Sequence, residues 1–140
     1  MAAHKPAIAT HPLDSAFEVN AMNVLGIAHV QVAISPAGED RAREFYGAVL
    51  GLDEIPKPAT LQDRGGAWFQ CGEQEIHCGV EDPIAPTRRH PALLIEGLDE
   101  LKARLVAAGI ETQVDRPLPG FHRFYAFDPF GNRLEFLERA

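Results

Sequence analysis

Three histidines and one glutamate carry most of the chemistry open to this chain. His29 lies in "GIAHVQVAI", His77 in "EIHCGVE", His90 in "RRHPALLI" and Glu135 in "RLEFLE". Glu135 sits in the middle of a short apolar strand, where an unpaired charge is costly. Imidazoles titrate near neutral pH and are common metal ligands. A carboxylate beside them adds the negative charge that a divalent cation neutralises. Each residue alone also has a plain reading. His29 would be a hydrogen-bonded core residue, His90 a loop residue before a proline, and His77 a surface residue sharing its face with Glu75 and Gly79. Glu135 would pair with Arg133 or Arg123.

The elements that must hold these side chains fall in a repeating order. Residues 26–34 alternate and are rich in β-branched types, which predicts a strand. Residues 35–51 place Ala42, Phe45, Tyr46, Val49 and Leu50 at helical spacing and end at Gly51. "LDEIPKPAT" reads as a short, proline-broken edge strand, and residues 66–82 as a hairpin turning near Gly72-Glu73. The order then restarts with a strand at 90–97 and a helix in "LDELKARLVAAGI", with Leu98, Leu101, Leu105 and Ala108 on one side and Gly109 at its end. "ETQVDRP" is a short strand and "GFHRFYAFDPFGNRLEFLE" a second hairpin. Gly51 and His77 lie 26 positions apart, as do Gly109 and Glu135. A period near 60 residues implies two fused copies of one unit, not a solenoid.

In that repeat His29 corresponds to His90, and His77 to Glu135. Four ligand-type side chains at equivalent places need a common cause, and a divalent metal is the simplest. Each half has four strands and one helix, so one face of its sheet is left without a helix. Two curled sheets set face to face would bring the four residues to one spot. The expected fold is α+β, two βαβββ modules (about 25–82 and 89–138) with curled mixed sheets enclosing a metal cleft. Residues 1–24 read as an N-terminal arm or a disordered extension, with Met22 an alternative start. His4 and His11 in that arm read as solvent-facing.

Composition narrows the function classes. The net charge of −7 argues against nucleic acid or an anionic membrane as the main partner. No stretch is long and apolar enough for a membrane span, and the first residues lack the continuous apolar core of a signal peptide. Two cysteines, Cys71 and Cys78, suit a reducing cytoplasm better than a disulfide scaffold.

The arrangement resembles the vicinal oxygen chelate superfamily, which includes glyoxalase I, bleomycin-resistance proteins, fosfomycin-resistance enzymes and type I extradiol dioxygenases. The "DPFGN" turn before "RLEFLE" is its most specific mark, and the resemblance covers about residues 25–138. It implies paired βαβββ modules with metal ligands His29, His90 and Glu135. In glyoxalase I a fourth ligand, usually Glu or Gln, comes from the strand that here carries His77. That departure weakens the transfer of glyoxalase I activity itself. The resemblance also implies a homodimer, in some members with the site divided between chains. The metal would be Zn, Ni, Fe(II), Mn or Co.

Such a site would chelate vicinal oxygens of a small substrate. The chemistry would be that of a lyase, an isomerase or a ring-cleaving dioxygenase. His77 would be a fourth ligand, a catalytic base or an orienting group. Arg123 and Tyr125, on one face of their strand, with Trp68 and Arg89, would line the substrate pocket. The alternative is a metal-free protein sequestering a drug or metabolite, of the bleomycin-resistance type.

Overall fold

The structure is a computed structural model, and it describes residues 21–140. The arm expected over residues 1–24 lies outside these residues except for its last four. Each module follows the strand-helix-three-strand order. The first contains β1 (His29–Ile34), α1 (Glu39–Ala42 continuing as Arg43–Val49), β2 (Asp53–Ile55), β3 (Ala67–Cys71) and β4 (Gln74–Val80). A 3-10 turn, Ala59–Arg64, follows β2. The second contains β5 (Ala92–Leu94), α2 (Leu98–Ala107), β6 (Thr112–Gln113), β7 (Phe121–Phe127) and β8 (Arg133–Arg139). The sheets run β1-β4-β3-β2 and β5-β8-β7-β6, with β1–β4 and β5–β8 parallel and the remaining pairs antiparallel. Both strands that open the modules begin later than their apolar runs, at His29 and Ala92.

The helices cover one face of each sheet. Leu98, Leu101 and Leu105 of α2 are buried at helical spacing, whereas Ala108 is the exposed C-cap residue. Gly109 (φ +76°) follows, and the Ile110 amide returns to the Leu105 carbonyl at 2.9 Å. The first helix departs from a regular α-helix. Its second part, Arg43–Val49, is π-helical, and the Leu50 amide bonds to the Phe45 carbonyl at 2.9 Å. The wider turn lets two consecutive aromatics, Phe45 and Tyr46, face the interior together at 2% and 0% exposure. Phe69, Ile76 and Cys78 from the first sheet meet them, and Phe124, Leu134 and Phe136 from the second join the same core.

The "DPFGN" turn joins the modules. Tyr46 donates its hydroxyl to Asp128 Oδ2 at 2.5 Å. Asp128 Oδ1 accepts from the amides of Phe130 and Asn132 at 2.9 and 2.8 Å. Asn132 then clamps the open edge of β1. Its Oδ1 accepts from the Ala33 amide at 3.1 Å, and its Nδ2 donates to the Ala33 carbonyl at 2.6 Å. One side chain thus stands in for a neighbouring strand and fixes where β8, and with it Glu135, begins.

Candidate functional site

Opposite the helices, each sheet presents a polar face. Strand alternation puts His29 and Gln31 of β1 with Glu75 and His77 of β4 and Trp68 of β3. The second sheet puts Ala92 of β5 with Arg133 and Glu135 of β8 and Arg123 and Tyr125 of β7. The registers match position by position. Trp68 lies across from His77 as Tyr125 lies across from Glu135. His77 pairs with Gln31, two residues after His29, and Glu135 with Ala92, two residues after His90. The equivalences expected of a repeat therefore hold as hydrogen-bonded register.

On the first face the His77 ring is sandwiched. It stacks on Trp68 at 3.7 Å between centroids and 4° between planes, and on His29 at 3.9 Å and 15°. His77 is buried, and its Nε2 meets Glu75 Oε1 at 2.8 Å. A carboxylate only accepts, so Nε2 carries a proton and donates it to Glu75. His29, the outer ring, is exposed.

On the second face Glu135 is 7% exposed. Burial pushes its carboxyl up, but hydrogen bonding from Tyr125 and His90 and the charge of Arg123 outweigh that, and the net shift is below the ordinary carboxylate value. Arg123 Nη1 stands 3.3 Å from Glu135 Oε1 and donates to the Tyr125 hydroxyl at 2.7 Å. His90 Nε2 lies 3.2 Å from the same carboxylate oxygen, while its Nδ1 lies 2.9 Å from the Arg88 carbonyl. The carbonyl can only accept, so Nδ1 holds the proton. Both ring nitrogens of His90 therefore face oxygen acceptors. At that distance Nε2 meets the carboxylate either as a proton donor or across a cation that the two share. A backbone carbonyl fixing the tautomer of a ligating imidazole is a common feature of metal sites.

The structure thus brings His29 to His77 and His90 to Glu135. It does not bring all four together in one chain. Among the described residues, no group of three or more His, Cys, Asp or Glu side chains is placed to hold a metal ion. Sequence left open whether one chain or two brings the four together, and among the described residues of one chain they stay in two pairs. The two helices share one continuous core on the apolar sides of both sheets, and each polar face keeps its own pair. Trp68 and Tyr125 lie on their polar faces, and Arg123 points to Glu135. Arg89 is exposed and bonds its own turn through Thr87. The sequence placed Glu75 on the face of His77 but did not identify it as that residue's partner. The signal was present, since residues two apart on a strand share a face. It also offered Arg133 as a partner of Glu135 equally with Arg123, and Arg123 alone makes that contact.

Comparison with known proteins follows the same division of the chain. The family model described as Glyoxalase/Bleomycin resistance protein/Dioxygenase superfamily matches residues 26–136. A Bacillus anthracis protein assigned to the glyoxalase family is 50% identical, with a TM-score of 0.79 over 86% of this chain and 99% of that one. A variant of the fosfomycin resistance protein FosX from Listeria monocytogenes, solved with Mn(II) and 1S,2S-dihydroxypropylphosphonic acid, shares the fold. It is 20% identical, with a TM-score of 0.71 over 84% of this chain and 95% of that one. FosX from Mesorhizobium loti is 15% identical at a TM-score of 0.65, with 84% and 95% of the two chains covered. No curated protein matches the sequence significantly. No helix among the described residues is long and apolar enough to cross a membrane.

Proposed function

The chain belongs to the glyoxalase/bleomycin resistance protein/dioxygenase superfamily, and on that premise we propose that it is a divalent-metal enzyme acting on a small, oxygen-rich molecule. The observation that carries this reading is the contact of His90 Nε2 with Glu135 Oε1 at 3.2 Å, an imidazole nitrogen and a carboxylate oxygen close enough to share a cation. The donor set suits Zn, Ni, Fe(II), Mn or Co. Two neutral imidazoles and one carboxylate leave net positive charge on a divalent ion and coordination positions for substrate. His90 and Glu135 would hold the ion from one sheet, and His29 from the other.

We place the two sheets of one site on two copies of the chain. A second copy related by a two-fold would turn its His29 face toward the His90–Glu135 face of the first, and each pair of copies would make two such sites. A metal held there supplies Lewis-acid polarisation of two neighbouring substrate oxygens.

The chain's own side chains favour proton transfer over ring cleavage. His77 Nδ1 would accept a proton from a substrate carbon and return it at a neighbouring position, with no net gain or loss. Glu75 would steady the imidazolium formed in between by accepting from Nε2. Trp68 and His29, stacked on either side, would hold the ring plane. Tyr125 and Arg123 would orient Glu135, and Arg89 would border the entrance. The reaction class would be that of an isomerase, epimerase or lyase.

Metal analysis tests this reading. Purified protein loaded with Zn, Ni, Mn, Co or Fe(II) should bind near one ion per chain. The Glu135→Ala, His29→Ala and His90→Ala variants should bind none tightly. His77→Ala should keep the metal and lose turnover. Wild-type protein that takes up no ion would instead support a metal-free, metabolite-sequestering protein.

A further inference from the structure

Arg133 differs from every other charged group on the two polar faces. It occupies in the second module the position that Glu75 occupies in the first, two residues before the key residue of the closing strand. Glu75 has a partner in His77. Arg133 has none: no ion pair or side-chain hydrogen bond joins it to another of the described residues, and its Nε is buried without a partner. The nearby negative charge is already matched. Glu135 is shared by Arg123 and His90, and Asp115 stands 4.0 Å from Arg123. The guanidinium of Arg133 lies over the Tyr125 ring, 4.1 Å from Cζ to the centroid, which restricts its movement.

Arg133 lines a cavity of about 420 Å³ that also reaches His90, Gln31 and Arg89. Glu81, at the same cavity, is exposed and makes no ion pair with Arg133. A half-buried guanidinium with no ion-pair or hydrogen-bond partner, packed on Tyr125 beside His90, is arranged to receive a planar or tetrahedral oxyanion through two N–H groups; Asp115 feels its charge but makes no ion pair with it. An unpaired buried charge is otherwise costly.

We propose that this cavity is an oxyanion subsite, in which Arg133 binds a carboxylate, phosphonate or phosphate group of the substrate while its vicinal oxygens face His90 and Glu135. The substrate class is then an anionic one, despite the protein's net charge of −7. This inference rests on the reading of the site given above only for the identity of the ligand as substrate. Anion binding itself requires no metal.

The test uses full-length, chelator-treated protein, titrated by calorimetry with inorganic phosphate, methylphosphonate and acetate. Wild-type protein should bind at least one of them. Arg133→Met should weaken that binding at least roughly tenfold, as expected for loss of charged hydrogen bonds. Arg133→Lys should fall between the two. Arg139→Met, which removes the same charge elsewhere on β8, should bind like wild type. The Arg133 Nε resonance of the wild type should also shift on adding the anion, a readout independent of how any variant folds. Preference for phosphate or acetate identifies the oxyanion, and either supports the subsite. Absence of binding by the wild type, an unmoved Nε resonance, or equal binding by Arg133→Met overturns it. Metal uptake by Arg133→Met should match wild type, so failure of the metal site and failure of the subsite are distinguishable.

Discussion

At the scale of single residues, buried polar side chains on this chain are held by specific partners, and those partners set what pH does. Tyr46 is 0% exposed and donates to Asp128 at 2.5 Å. Burial, then the charge of Asp128, pushes the phenol well above its ordinary 10.0. A phenol whose folded pKa is raised contributes stability that is complete below the unfolded value and is lost as pH rises past it. Unfolding free energy should therefore fall as pH climbs above about 10 in wild type, and Tyr46→Phe should flatten that decline. At neutral pH the same variant removes one hydrogen bond to a carboxylate and should cost about 1.5–3 kcal/mol, measured by urea denaturation. Cys78 shows the opposite side of burial. Its thiol is pushed up to about 12, chiefly by desolvation, so it is unreactive at neutral pH. Both cysteines lie on core-facing positions of their strands.

At the scale of elements, the repeat was legible and the departures from it have local causes. Alternation in "HVQVAI" and "RLEFLE" set which residues share a face, and the structure keeps every one of those pairs. Trp68 across from His77 followed from a two-residue turn at Gly72-Glu73, and β3 and β4 meet with that spacing. The π-helical part of α1 was not legible, because Phe45 and Tyr46 fit an α-helical stripe equally well until both are required inside. Nor was the role of Asn132, whose contact with Ala33 spans 99 residues. The approach of β3 to β4 also depends on Gly66. It has φ +86°, and a Cβ there would stand 2.1 Å from the Cys78 carbonyl oxygen. Its amide donates to Glu39 Oε1 at 3.0 Å, tying the start of α1 to the sheet. Gly66→Ala must both adopt a left-handed backbone and push β4 aside. It should lose roughly 2–4 kcal/mol, seen as a lower midpoint in urea. The exposed Gly72 (φ +60°), with nothing within 4 Å of a built Cβ, should lose less on the same change. Equal losses would mean that backbone conformation and not contact decides both.

At the scale of the whole molecule, one chain presents two polar faces and no complete set of metal donors among its described residues. Sequence could give the ligand types and their equivalence, but not whether one chain or two brings them together. That depends on how two similar modules pack, and self-similar units can pair within a chain or between chains with nearly the same contacts. The exposed apolar residues speak for a second copy. Val24 and Leu25 are 84% and 77% exposed, and Ile27 and Leu94, at 68% and 62%, flank a crevice of about 620 Å³ between the modules. Exposed apolar area of that kind commonly marks an interface. A division of the site between copies makes a distinctive prediction. His29→Ala and Glu135→Ala should each fail to hold metal alone. Unfolded together in equal amounts and refolded, they should form mixed dimers in which one of the two sites has His29 from one chain and His90 with Glu135 from the other. Random pairing should restore about a quarter of the wild-type metal content, read by elemental analysis of the refolded dimer fraction. A site closed within each chain would restore none, because every chain in the mixture lacks one ligand of its own.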